Sequence, residues 1–308
     1  MFKKSWRYFL TVSWLLLILV WSINVQAAAA PLKKTGYTDF SSWYINTYHL
    51  KELPFRAAAL IDANTLQPLY YYQETTVMPT ASLMKLLTAG AFLSYGQPDW
   101  YKMVNLTEED NETLLRPYTG PHDNLALLRL KNNETITLEQ AFATMLIASA
   151  NNIAVALPRY AEQTRTNFIA RMQTIAEQWG MLNTHVDEPS GLSLNNLSNA
   201  QDLALAGCHA FSQFMINHYA SSPSFSYTTS LGSNKNIWHT VHDLRQHPLN
   251  YFGGKTGYLN ETQYHLVAGL TTADGHKVCA AILTSPTRTV SEQTAEALRL
   301  WADKMYQW

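Results

Sequence analysis

Three short stretches of the chain hold residue types capable of nucleophilic chemistry. In "PTASLMKLLTA" (79–89), Ser82 and Lys85 stand three positions apart at the front of an apolar helical run. On a helix such a pair shares one face, with an axial rise of roughly 4.5 Å, so the two side chains can touch. A serine hydroxyl is a poor nucleophile until a base takes its proton, and a lysine is that base only when burial or another cation destabilises its ammonium. Free backbone N–H groups at a helix start would also stabilise an oxyanion. In "IASANNIAVAL" (147–157), Ser149 and Asn151 stand where one helical pattern ends and the next begins, a break that can aim two polar side chains into a cleft. In "YFGGKTGYLNE" (251–261), Lys255 can supply the second cation, Thr256 a hydroxyl for a carboxylate, and Gly257 a close backbone approach.

Each stretch has competitors. Ser-x-x-Lys alone arises by chance about once in a chain of this length. Ser-x-Asn recurs at Ser22 and Ser193, and Lys-Thr-Gly recurs at Lys34, Thr35 and Gly36. The order of the stretches and their local patterns select Ser149 and Lys255.

Elements that would position these residues are legible on both sides. "RAAALIDANTLQPLYYYQ" gives two apolar or aromatic runs around the turn-forming "DANT", and "YHLVAGLTTADGHKVCAAILTS" gives two more around "DG", so each reads as a hairpin. Leu83, Leu86, Leu87 and Ala91 fall at helical spacing, with Thr80 at the entry and Gly96 at the exit. Thr137 and Gln140 form a capping-box pattern ahead of another helix, and the helical periodicity that follows is interrupted at Pro158 and closed at Gly180. Leu298, Trp301 and Met305 lie on one stripe of a closing helix. These signals predict an α+β domain whose antiparallel sheet combines N- and C-terminal strands, flanked by helices, with a helical insertion over about 97–245.

Residues 1–30 read as an export signal, because Lys3, Lys4 and Arg7 precede an apolar run from Phe9 to Ile23 that ends in small residues. Export to the periplasm is the expectation, with inner-membrane anchoring or loose membrane association if the segment is retained. Residues 31–54 read as a linker and 55–308 as one domain that carries all three stretches. A net charge of −1 and the lack of a long basic run exclude nucleic acid as a partner. Cys208 and Cys279, the two cysteines, lie in apolar stretches that read as sites of buried free thiols, and their pairing stays open. His239, His242 and His247 read as a solvated loop rather than metal ligands, Asp187 and Glu188 as a turn, and Tyr70, Tyr71 and Tyr72 as strand packing.

Taken in order, Ser-x-x-Lys, Ser-x-Asn and Lys-Thr-Gly resemble the signature of penicillin-recognising serine acyltransferases. The chain is most similar to the low-molecular-mass penicillin-binding proteins, the serine D-alanyl-D-alanine carboxypeptidases and endopeptidases, from Arg56 to the C-terminus. That resemblance implies a β-lactamase/transpeptidase-like fold and no cofactor or metal. It implies peptidoglycan stem peptides as substrate and β-lactam antibiotics as inhibitors. Ser82 would be the acylated nucleophile, Lys85 its base and Ser149 the proton relay to the leaving group. Asn151 would hold the peptide backbone, Lys255 and Thr256 the terminal carboxylate, and the N–H groups of Ser82 and Tyr258, beside Gly257, the oxyanion. Three positions depart from the family pattern without removing a reacting group: Met84, Ala150 and Gly254. The Glu-x-x-Leu-Asn stretch of class A β-lactamases is missing, since Glu177 is two residues too far from Leu182 and Asn183. "DEPSGLSLNN" and the single closing helix resemble the short endopeptidase branch, with carboxypeptidase activity the runner-up. A catalytically silent binder or β-lactam sensor on the same fold would not need the nucleophile together with both lysines.

Overall fold

A computed structural model describes residues 33–34, 38–120 and 125–308, so the export signal expected over 1–30 lies outside the described residues. In chain order the elements are α1 (Phe40–Tyr48), β1 (Ala57–Asp62), β2 (Pro68–Tyr72), α2 (Lys85–Leu93), α3 (Leu138–Ile147), α4 (Asn151–Tyr160) and α5 (Arg165–Gln178). There follow α6 (Ala200–Ser212), α7 (Phe214–Ala220), β3 (Ser224–Thr228), β4 (Asn234–Trp238), α8 (His242–Gln246), β5 (Tyr251–Leu259), β6 (Gln263–Thr271), β7 (Lys277–Ser285) and α9 (Arg288–Met305).

The two hairpins and β5 form one antiparallel sheet in the order β5-β6-β7-β1-β2. Asp62 shapes the first turn, its Oδ1 accepting the N–H groups of Asn64 at 2.8 Å and Thr65 at 2.7 Å. Gly275, with φ of 88°, makes the second. Pairing of β7 with β1, from Val278 opposite Asp62 to Leu283 opposite Ala57, joins the chain's two ends. Every residue of β1 is buried, because helices cover both faces of the sheet. Ala57, Ala59, Ile61, Val267, Cys279 and Ala281 join the core with α6, α2 and α3. A Cβ at Gly207 would lie 2.6 Å from Val267 Cγ1, so α6 sits hard against the sheet. On the other face α9 packs on β6 and β7 with Leu298 and Trp301 buried.

The helical middle follows the expected pattern with local corrections. The Thr137 capping box forms in full at the start of α3. Pro158 does not break the chain but sits inside α4 near its end; Glu162, with φ of 58°, makes the break, and the Thr164 hydroxyl caps α5. The stretch read as a helical insertion also carries the β3–β4 hairpin. The stretch read as a linker contains α1, whose Phe40 and Tyr44 are buried. Phe40 meets Tyr70 at 4.9 Å and Trp301 at 5.9 Å between ring centroids, and the Trp301 indole N–H donates to Thr38 O at 3.0 Å. Tyr70 thus packs in the strand as expected.

Because Trp301 joins α1, β2 and α9, Trp301→Ala is expected to cost about 3–5 kcal/mol of stability, read as a lower urea midpoint. An unchanged midpoint would mean that α1 is not docked on α9.

Candidate active site

Ser82 stands on a tight helical turn, Ala81–Met84, that leads into α2. Ala81 just before it has φ of 50°, a conformation that a non-glycine residue keeps only when its surroundings enforce it. Those surroundings are visible. The Thr80 N–H donates to Asn196 O at 2.8 Å, and a Cβ at Gly191 would lie 1.9 Å from Ala81 O, so the 188–196 loop presses on the turn. From the other side, a Cβ at Gly257 would lie 3.2 Å from Thr80 O and 3.3 Å from Ser82 N. This close approach brings the open edge of β5 alongside Ser82.

Ser82 opens into a cleft of about 1080 Å³ that is also lined by Ser149, Asn151, Thr256, Gly257 and Tyr258. Behind it, Lys85 and Lys255 are fully buried. Lys85 Nζ lies 2.7 Å from Ser82 Oγ, 2.7 Å from Asn151 Oδ1 and 2.5 Å from Ser190 O. Two of these oxygens, an amide and a peptide carbonyl, can only accept. A neutral amine that donates to both has its lone pair left for the one neighbour that can also donate, the Ser82 hydroxyl. Burial pushes Lys85 down to about 7, against an upward pull from Glu188. Lys255 is held well below the ordinary lysine range by burial and by the nearby charges of Lys85 and Arg288. Its Nζ donates to Ser149 Oγ at 2.7 Å and Thr256 O at 2.8 Å. The site therefore holds two serine–lysine pairs.

Ser149 reaches Lys255 because it sits between α3 and α4 with φ of 62°, the left-handed conformation. The N–H of Asn151 donates to Ala126 O at 2.7 Å, and the Asn152 Oδ1 accepts the Leu128 N–H at 3.1 Å, which fix the cleft wall to the start of α4.

Several participants escaped sequence reasoning. Ser190 contributes a carbonyl, which leaves no trace in residue type. Glu188, read as part of a turn, is fully buried and accepts the N–H groups of Ser190 and Leu192 at 2.5 and 2.7 Å and the Asn196 amide at 2.7 Å. It thereby sets the loop that carries Ser190 O. Arg288, at the start of α9, lines the cleft near Lys255, and its Nε is buried with no hydrogen-bond partner among the described residues. The competitor Ser193 also lines the cleft, but its hydroxyl donates to Asp187 at 2.5 Å.

One expectation fails. His239 is buried rather than solvated, because with Val241 and Leu244 it fills the space beside Gly254, where a Cβ would lie 2.9 Å from Val241 Cγ2 and 3.5 Å from His239 Cε1. That packing accounts for glycine at this position. Burial, with Lys255 nearby, pushes His239 down to about 3, so it is neutral. Glu177 is exposed on α5 and does not line the cleft. Cys208 and Cys279 are both buried free thiols.

A family model described as D-alanyl-D-alanine carboxypeptidase matches residues 45–287. The chain is 30% identical over 192 residues to a D-alanyl-D-alanine endopeptidase of Haemophilus influenzae, covering 62% of each. It is 25% identical to the D-alanyl-D-alanine carboxypeptidase DacA of the same organism, over 72% of this chain and 54% of that one. Both matches span less than two thirds of the relative's length. A D-alanyl-D-alanine endopeptidase of Pseudomonas aeruginosa is 25% identical over 93% of this chain and 86% of its own. Among solved structures, the Streptomyces K15 DD-transpeptidase superposes with a TM-score of 0.71 at 22% identity, over 81% of this chain and 97% of that one. It shares the α+β fold. Since the family model covers most of the chain, the protein belongs to the D-alanyl-D-alanine carboxypeptidase family of peptidases.

Proposed function

We propose that the protein is a serine-type D-Ala-D-Ala peptidase that hydrolyses peptidoglycan stem peptides in the periplasm through an acyl-enzyme on Ser82, with cross-links as its preferred bonds. The observation that carries this reading is the Lys85 amine, fully buried and placed with one lone pair free for the Ser82 hydroxyl. The Haemophilus and Pseudomonas relatives, both named endopeptidases, favour cross-links.

The geometry supports the following course of reaction. Lys85 takes the Ser82 proton as Oγ attacks the carbonyl of the penultimate D-Ala. The N–H groups of Ser82 and Tyr258 hold the developing oxyanion, with Gly257 permitting the approach of β5. The departing amine receives its proton through Ser149, which Lys255 holds. The terminal carboxylate of the substrate sits by Thr256, Lys255 and Arg288, where it pairs with Arg288 and favours protonation of Lys255. Water then releases the acyl group. A β-lactam carboxylate and carbonyl fit the same two positions, and with no Glu-x-x-Leu-Asn glutamate the adduct is expected to be long-lived.

The test is hydrolysis of a cross-linked muropeptide dimer and of a monomeric pentapeptide, followed by chromatography and mass spectrometry. Cleavage of the dimer is expected, lost in Ser82→Ala and reduced about 10²–10⁴-fold in Lys85→Ala without loss of thermal stability. Release of D-Ala from the monomer alone would make the protein a carboxypeptidase, and no cleavage of either would overturn the proposal. Glu188→Ala leaves buried N–H groups without an acceptor and frees the Ser190 carbonyl, so it should lower stability by about 2–4 kcal/mol and slow hydrolysis. An unaltered rate in that variant would remove the loop from the account of how Lys85 is aimed.

A further inference from the structure

Among the described residues that line the cleft, Glu261 is the one carboxylate and Arg288 the one cationic side chain. Along β5 the two stand on opposite sides of Gly257. Arg288 lies close enough to Lys255 to lower its protonation, whereas Glu261 follows Leu259, the last residue of the strand, by two positions. From Lys255 to Leu259 the strand covers about 13 Å at the usual rise per residue. The cleft is therefore positive at one end and negative at the other, with Ser82 beside Gly257 between them.

Glu261 has no ion pair or side-chain hydrogen bond among the described residues and is exposed. The turn that presents it is nevertheless well fixed. Tyr258 Oη donates to Asn260 Oδ1 at 3.0 Å, Gln263 Nε2 donates to Asn260 O at 2.8 Å, and the Thr262 hydroxyl meets His265 Nε2 at 2.9 Å. A carboxylate held at a cleft mouth without a partner is an available site for an ammonium group.

An extended peptide laid on the open edge of β5 in the antiparallel sense has its carboxyl end at Lys255 and its N-terminal side at Leu259 and beyond. Its scissile carbonyl then lies at Ser82. The residue before the D-Ala that acylates Ser82 falls near Leu259, within a long side chain's reach of Glu261. In a stem peptide that residue is a diamino acid, whose side-chain amine is free in an uncross-linked acceptor position and becomes an amide when it accepts a cross-link. We propose that Glu261 is a specificity-determining residue that holds this free side-chain ammonium, so that the enzyme selects stem peptides whose own diamino acid is not acylated. The inference rests on the peptidase reading above and adds the chemical class of the acyl part.

The experiment compares kcat/KM for D-Ala release from Nα-acetyl-L-Lys-D-Ala-D-Ala and from its Nα,Nε-diacetyl counterpart, using the full protein at low salt. The free amine is expected to be favoured by about fivefold, the size of an ion pair exposed to solvent, and the preference should shrink as salt is raised. In Glu261→Gln the ratio should fall to about one, and in Glu261→Lys it should invert, by the same charge argument. Hydrolysis of both peptides at equal rates by the wild type, or a preference that survives in Glu261→Gln, would overturn the role of Glu261 and leave the peptidase reading standing. Hydrolysis of neither peptide would overturn the role of Glu261, and would overturn the peptidase reading as well only if the cross-linked muropeptide dimer is also left intact.

Discussion

A buried lysine whose ionisation is pushed down to about 7 is the constraint on which the rest of the site depends. Lys85 is fully buried, and three oxygens surround its Nζ within 2.7 Å. Burial disfavours the ammonium, and two of the oxygens can take only its hydrogens, so the remaining lone pair is directed at Ser82. Depressed ionisation alone would leave the amine neutral but unaimed. Aim alone would leave it protonated and useless as a base.

Each of the three oxygens is brought by a different part of the chain, and this explains why the fold is built as it is. Ser82 stands on the turn into α2, held in place by the 188–196 loop and by the edge of β5. Asn151 begins α4 immediately after the left-handed Ser149. Ser190 O belongs to a loop organised around the buried Glu188 carboxylate, and the Thr88 hydroxyl fixes the same loop to α2 by donating to Pro189 O at 2.6 Å. The sheet supplies Lys255, whose charge the site also suppresses. Two buried lysines thus stand close enough that each disfavours the other's ammonium form.

The side chains of the candidate site were legible in the sequence because their types are chemically rare in combination: serine and lysine one turn apart, and lysine, threonine and glycine on a strand. The hairpins and the capping box were legible because alternation and capping are local signals. What stayed hidden depends on contacts distant along the chain. Ser190 acts through its backbone, Arg288 enters the cleft from the start of the last helix, and His239 is buried beside Gly254, fifteen residues on. Helix α1 was read as linker since its burial depends on Trp301, more than 250 residues away. Pro158 misled because helix-breaking was assigned to the residue type, whereas α4 tolerates it near its end and Glu162 turns the chain.

The most direct test of the central claim is the rate of Ser82 acylation by benzylpenicillin as a function of pH, followed by intact-mass spectrometry. Free amine is the reactive form of Lys85, and its ionisation lies at about 7. The account therefore predicts one penicilloyl adduct, absent in Ser82→Ala, formed at a rate that rises with pH and levels off above an inflection near that value. A rate still climbing toward the ordinary lysine range near pH 10, or flat from acid to alkaline pH, would contradict the claim that a buried, uncharged Lys85 is the base.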